Sequence, residues 1–344
     1  MNIGVTGLNA TDNPGPGVPV IRSILDAPGF KGNIIGLAYD SLEPGIYMEN
    51  VAQKCYLIPY PSSGLDALFE RLAFIHSREH LDVIIPTLDS ELYGFVKLSD
   101  RLKDLGIKTF LPTFEQLELR AKDKLFDFCS AHDIKVPKNI LVSTVQDLSR
   151  IPNHFSYPVA VKGIFYEAYV AHNSNDVMTA FDKLRMRWGL PIIIQEFITG
   201  PEFNVAALGD GKGGTIGAVG MRKLYITDKG KGWSGVTVDD KTLIALARKA
   251  TEALKWRSGM ELEFVKAKET NEYYLLEINP RFPAWIYLAT GAGQNLPYAL
   301  VRLALGESVA PFTTYEVGTI FVRYSWDLIT NMSQFEKLAV AGER

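Results

Sequence analysis

The residues best suited to chemistry lie near the end of the chain, in the stretch Gly259–Phe282, GMELEFVKAKETNEYYLLEINPRF. Two β-type runs, MELEFV and YYLLEI, flank a polar turn at Glu269, Thr270 and Asn271, which predicts a hairpin. Glu263 falls inside the first strand and Glu277 and Asn279 close the second, where a strand packed on a core prefers apolar side chains. Glu277 and Asn279 are two apart and project from one face, and a partner strand can bring Glu263 beside them. Like charges so placed repel unless a cation joins them. Hard oxygen donors of this kind suit Mg2+ shared with phosphates, with Mn2+ as an alternative. The predicted metal ligands are therefore Glu263, Glu277 and Asn279, against the blander reading of a solvated hairpin. Glu261 shares a face with Glu263 and either supports these ligands or faces a substrate.

Those residues need elements to hold them, and the chain is long enough to supply two or three domains: it has 344 residues, 47% hydrophobic and 22% charged. A formal net charge of −3 gives no general attraction to nucleic acid or to an anionic membrane. Cys55 and Cys129 have no metal or redox spacing and read as core residues of a reducing compartment. The N-terminus lacks a signal pattern and no apolar run is long enough to span a bilayer, so the expected location is cytoplasmic, with no membrane partner. His76 and His80 are the single histidine pair on one predicted helix face and are not read as a zinc site.

Residues 1–112 alternate strands (NIGVTGLN, NIIGLAY, KCYLIPY, DVIIPTL, KTFLP) with helices, which predicts a parallel, Rossmann-like α/β domain. Its loop Asn13-Pro14-Gly15-Pro16-Gly17 lacks the G-x-G-x-x-G spacing and is read as loop closure rather than dinucleotide binding. Asp89 and Glu91 follow a strand end, where they either orient an amine or cation or serve the start of the next helix. One helix is expected through TFEQLELRAKDKLFDFCSAHD. After Val136-Pro137 comes an α+β lobe with strands NILV, YPVAVKG, EAYVAH and PIIIQEFI, in which Lys162 interrupts an apolar strand and must have a partner or a purpose. The rest carries strands, the basic turn DKGKGWSG, the helix DDKTLIALARKATEALKW, the hairpin, the helix NLPYALVRLALGE and a strand GTIFVRYSW. Residues 331–344 carry no strong signal.

Taken in order, Asp123-Lys124, Tyr157 to Lys162, Gln195 to Ile198, Gly200-Pro201-Glu202, Glu263 and Glu277-Ile278-Asn279-Pro280-Arg281 closely resemble the ATP-grasp superfamily over essentially the whole chain. The resemblance implies an N-terminal Rossmann-like pre-ATP-grasp domain (1–112) and a two-lobed α+β ATP-grasp module (113–330). The small lobe covers about 135–196 and the large lobe about 197–330, with a tail at 331–344. It also implies ATP and Mg2+ as cofactors. Lys124 and Lys162 would reach the phosphates, Gln195, Glu196 and Ile198 would form the adenine hinge through backbone groups, and Glu202 would take the ribose hydroxyls. Arg281 would stabilise charge on a transferring phosphoryl group, with a structural salt bridge as its alternative. Arg222 and Lys223 are consecutive on one strand and face opposite sides, so only one can point at the phosphates, and Lys223 is favoured. Trp233 either covers substrate or anchors its turn. The loop Gly163 to Ala168 departs from the family in being short and aromatic.

The expected reaction is ATP-dependent joining of a small-molecule carboxylate, such as an amino acid or peptide, to an amine or thiol through an acyl phosphate. No Ser-His-Asp or Cys-His signature competes with it. Phosphorylation of bicarbonate or carbamate, in the manner of carbamoyl-phosphate synthase and biotin carboxylase, is the enzymatic alternative. A nucleotide-binding regulatory protein without turnover is the other. A homodimer is compatible with the sequence.

Overall fold

Apolar β runs punctuated by helices build the first sheet of the computed structural model, which describes residues 1–10, 14–227, 232–325 and 327–344. Strands β1 (Asn2–Thr6), β2 (Asn33–Ala38), β3 (Lys54–Leu57) and β4 (Val83–Ile85) are all parallel, in the order β3-β2-β1-β4. The expected strand KTFLP reduces to a single parallel bridge, Val83 to Lys108. The loop after β1 needs its glycine for packing: a Cβ on Gly17 would lie 2.1 Å from the Thr6 carbonyl oxygen. The helix Gly17–Leu25 can thus start directly against the end of β1.

A second sheet is antiparallel, formed by β5 (Asn139–Val142), β6 (Val159–Gly163), β7 (Ala168–Ala171) and β8 (Ile192–Glu196), ordered β5-β8-β6-β7. Val159, Val161, Ile192 and Ile194 pack with Phe181 and Leu184 of the helix Ser174–Trp188, which Asn173 caps through its side chain. A third sheet runs β13-β12-β9-β10-β11-β14. Its strands are β9 (Glu202–Asp210), β10 (Thr215–Ile226), β11 (Gly232–Thr237), β12 (Arg257–Lys266), β13 (Tyr273–Asn279) and β14 (Ile320–Val322). The predicted hairpin is β12–β13, closed through Asn271 at a positive φ of 58°.

By contact density the chain forms two compact units, one of residues 1–116, 204–261 and 279–344, the other of 117–203 and 262–278. Among the described residues no helix is long and apolar enough to cross a membrane. Cys55 and Cys129 are free and buried, and burial pushes both thiols up to about 12.

Three expectations differ from the structure. The helix expected over 113–133 breaks into Phe114–Leu119 and Leu125–Ala131, with the intervening Lys122 turned toward a carboxylate of its own unit. The closing strand shortens to the three residues of β14. The tail is ordered: a helix, Met332–Ala341, buries Leu338, and Arg344 exchanges backbone hydrogen bonds with Cys55 at 2.8 Å in each direction, covering the edge of β3. Of the basic turn expected over 228–235, residues 232–235 belong to strand β11, and residues 228–231, together with Asn13 and Trp326, lie outside the described residues.

Glu91 ties the first sheet together. Its carboxylate is buried at 1% exposure and accepts from Thr6 Oγ1 (2.5 Å), the Thr87 and Leu88 amides (2.6 and 2.8 Å) and the Tyr39 hydroxyl. This satisfies the start of the helix Asp89–Asp104, so the helix-start reading holds for Glu91. Burial outweighs the donors and raises the carboxyl from 4.5 to about 7. Between those values the folded chain keeps a proton that the unfolded chain has released, so stability falls as pH rises through that window. Replacing Glu91→Gln should flatten this part of the pH profile: thermal melts from about pH 5 to about pH 8 should show the parent losing Tm relative to the variant. Parallel profiles would refute the assignment.

Candidate functional site

Lys162 is the side chain that the second sheet could least easily ignore. On β6 it alternates with buried Val161 and Gly163, so it leaves the sheet on the face away from the Phe181 core. Burial lowers its pKa, while Glu277, Glu263 and Glu202 together act to raise it and Lys122 acts to lower it. Two lysines and three carboxylates of one unit therefore share a single electrostatic neighbourhood. Lys122 Nζ lies 3.3 Å from Glu277 Oε1 and donates to the Phe165 carbonyl at 3.1 Å.

A pocket in this unit is lined by Lys122, Lys162, Gln195, Asn139, Val136, Leu125, Phe126, Ile193, Leu275 and Leu276. Its walls combine apolar side chains with two ammonium groups and the amides of Asn139 and Gln195, the latter buried. Glu196 is fixed twice against Lys138: its amide donates to the Lys138 carbonyl (2.8 Å), and its carboxylate accepts from the Lys138 amide (3.3 Å). Ile198 follows β8 and is half-buried, and Glu202 opens β9. The short loop after Lys162 is tight, because a Cβ on Gly163 would sit 2.4 Å from the Tyr166 carbonyl oxygen and Glu167 adopts φ 67°. Tyr166 packs on Trp188 with ring centres 5.2 Å apart, and Glu167 pairs with Arg187. Lys124 stands apart, half-exposed and paired with Glu118 at 2.7 Å.

The other unit holds Asn279 and Arg281. Arg281 is 18% exposed and lies between two carboxylates, with Nε 3.0 Å from Asp89 and Nη1 3.3 Å from Glu261. Asp89 thus answers a cation, as one sequence reading expected, but the cation belongs to the protein. Glu261 is 5% exposed and also accepts from Asn204 (2.6 Å), Trp285 Nε1 (2.7 Å) and Asn279 (3.1 Å). Arg323 has a buried Nε with no hydrogen-bond partner among the described residues. Burial lowers its pKa while Glu261 acts to raise it.

The register places Lys223, Gly235 and Phe321 in one row across β10, β11 and β14, with Arg222, Val236 and Ile320 in the next. Lys223 therefore shares a face with buried Met221, and Arg222 points the other way and is exposed. Trp233 is half-buried, and its carbonyl accepts from the Arg323 amide at 3.0 Å.

Sequence reasoning missed Lys122 and Arg323 and left Glu261 open. Arg323 carried the signal that exposed Lys162, a cation inside an apolar strand run. Lys122 sat in a segment read as continuous helix.

The fold is that of the ATP-grasp proteins. More particularly, residues 190–323 match the family described as ATP-grasp in the biosynthetic pathway with Ter operon. The N-terminal section of the carbamoyl phosphate synthase large chain of Methanopyrus kandleri is 24% identical over 281 residues, 75% of this chain and 48% of that protein. The large chain from Methanobrevibacter smithii is 26% identical over 259 residues, 69% of this chain and 24% of that one. The chain thus spans less than half the length of these relatives.

Among solved structures, the Campylobacter jejuni biotin carboxylase–βγ-ATP complex superposes with a TM-score of 0.72 at 16% identity, covering 92% of this chain and 73% of that one. The biotin carboxylase domain dimer of Hydrogenobacter thermophilus 2-oxoglutarate carboxylase, with MgADP and bicarbonate, gives 0.70 at 17% identity, covering 93% and 73%. The L-amino acid ligase of Bacillus licheniformis gives 0.65 at 16%, covering 90% and 77%. These likenesses give no support for manganese.

If the lining lysines serve a polyanion, Lys122→Met should weaken binding of a non-hydrolysable ATP analogue by about tenfold or more, the worth of one charge-assisted hydrogen bond. It should also speed amide exchange across residues 163–168, because the Phe165 carbonyl loses its donor. Calorimetry and hydrogen-exchange mass spectrometry check both, with Lys124→Met measured alongside. Unchanged affinity in Lys122→Met would remove Lys122 from the site.

Proposed function

We propose that this chain is an ATP-dependent ligase that phosphorylates a carboxylate substrate and transfers its acyl group to an amine, releasing ADP and phosphate. The observation that carries the reading is the half-buried Lys162, under the charge of Glu277, Glu263 and Glu202 and lining one pocket with Lys122. A lysine so desolvated has its charge sustained by carboxylates when alone, and a triphosphate with its cation would complete that balance.

In this reading residues 1–112 are the Rossmann-like pre-ATP-grasp domain and 113–330 the ATP-grasp module. Lys162 and Lys122 reach phosphates, joined by Lys124 as the resemblance implies. Gln195, Glu196 and Ile198 hold the adenine, and Glu202 the ribose. Two carboxylates and an amide form a hard-oxygen donor set suited to magnesium, so Glu263, Glu277 and Asn279 are assigned as its ligands. Bound there, the metal would draw negative charge from the phosphate oxygens.

The protein's own part is orientation. Arg281, held between Asp89 and Glu261, would meet the charge that develops on the phosphoryl group, and Lys223 would add a second cation. Phosphorylation turns a carboxylate oxygen into part of a leaving group. The amine then attacks the acyl carbon, the C–O bond to phosphate breaks, and the amine's proton is released. An amino acid or peptide is the favoured substrate class, supported by the name of the Bacillus licheniformis ligase, and the carboxylase dimer supports a homodimer here.

The test is ADP release across a panel of carboxylates and amines, with product mass as the second readout. Release should require both substrates, and Glu277→Gln or Asn279→Ala should lower it by at least ~100-fold with the circular dichroism spectrum unchanged, as expected for losing a metal's several kcal/mol. Release with bicarbonate alone would replace this reading with carboxyphosphate chemistry. Full activity in both variants would sink the metal assignment.

A further inference from the structure

Glu261 is a buried carboxylate with no part in the ligand set, and its two oxygens have different work. Oε1 accepts from Asn204 Nδ2 at 2.6 Å and from Trp285 Nε1 at 2.7 Å. Oε2 accepts from Asn279 Nδ2 at 3.1 Å and from Arg281 Nη1 at 3.3 Å. An ionised carboxylate only accepts, so an asparagine can meet it only through its NH2 group. The hydrogen bond to Oε2 therefore decides which end of the Asn279 amide is turned away, and that end is the oxygen. Hard cations take amide ligands through oxygen.

We infer that Glu261 is a positioning residue that sets the donor–acceptor sense of the metal-binding asparagine, Oε2 orienting Asn279 Oδ1 while Oε1 is pinned by Asn204 and Trp285. The same oxygen holds one nitrogen of Arg281, so a single carboxylate couples the orientation of a metal ligand to that of the arginine. This inference rests on the assignment of Asn279 as a magnesium ligand.

The variant Glu261→Gln separates the two sides. Its oxygen can still accept from Asn204 and Trp285, but its NH2 group then faces Asn279 Nδ2 and Arg281 Nη1, donor against donor. The Asn279 amide should rotate and present nitrogen where oxygen is needed. Calorimetric binding of a non-hydrolysable ATP analogue, repeated over a magnesium series, should show half-saturating magnesium raised by ~10- to 100-fold, the usual cost of removing a group that orients a ligand. Affinity without magnesium should stay near the parental value, while the thermal midpoint should fall, because Arg281 loses one of its two carboxylates.

The exchanged pair is the sharper arm. In E261Q/N279D the new aspartate accepts from the Gln NH2 and offers its other oxygen to the cation, whereas in N279D alone it faces the Glu261 carboxylate and is repelled. The double variant should therefore need at least tenfold less magnesium than N279D, the reverse of ordinary additive damage. Unchanged magnesium dependence in a folded E261Q would overturn the inference. If E261Q melts early, the comparison of the double variant with N279D decides, and no improvement overturns it. Asn279→Ala is run beside them: if it too leaves magnesium dependence unchanged, the metal assignment itself has failed, and if it alone loses the response, only the role of Glu261 has.

Discussion

A charge withdrawn from water must be met by opposite charge or by hydrogen-bond donors, and this constraint accounts for the surroundings of Glu91, Glu261 and Lys162. Glu91 meets it with hydroxyls and backbone amides, Glu261 with two amides, an indole and a guanidinium, and Lys162 with surrounding carboxylates. Removing any one partner would leave a buried charge exposed to the full desolvation cost. Each charged residue therefore pins several segments distant in sequence.

The apolar residues supply the register that makes these meetings repeatable. On β12, Met260, Leu262 and Phe264 are buried to 1% exposure or less and alternate with Glu261 and Glu263. On β6, Val159 and Val161 do the same for Lys162. A slip by one residue would drive carboxylates or an ammonium into hydrocarbon and bring valines or leucines out. The hydrophobic pattern thus excludes the wrong register, and the polar partners refine the right one.

This also explains what could be read from the sequence. Period-two alternation announces β12, β13 and the misfit of Lys162, and the β–α alternation announces the parallel sheet, because both signals are local. Partners such as Asn204 and Trp285 for Glu261, or Asp89 for Arg281, are separated from them by tens to hundreds of positions and leave no local trace. Lys122 was hidden because a helical pattern on both sides suggested a solvated helix surface, whereas its ammonium reaches Glu277. The tail helix Met332–Ala341 buries Leu338 and otherwise few apolar groups, so its amphipathic signal is faint, and its docking on β3 is made mostly by backbone groups, which composition does not encode.

The arrangement around Arg281 shows what such compensation does to reactivity. Shared between Asp89 and Glu261, its guanidinium carries no surplus positive charge into its surroundings, so it attracts a distant anion weakly. What the two carboxylates provide is direction: with Nε and Nη1 both engaged, the planar group has little freedom to turn. A cation held that way serves charge that appears in place during a reaction better than charge arriving from solution, because reorientation has been dealt with during folding. Arg323 also feels Glu261, and its buried Nε has no hydrogen-bond partner among the described residues, so one carboxylate bears on two arginines of the same unit.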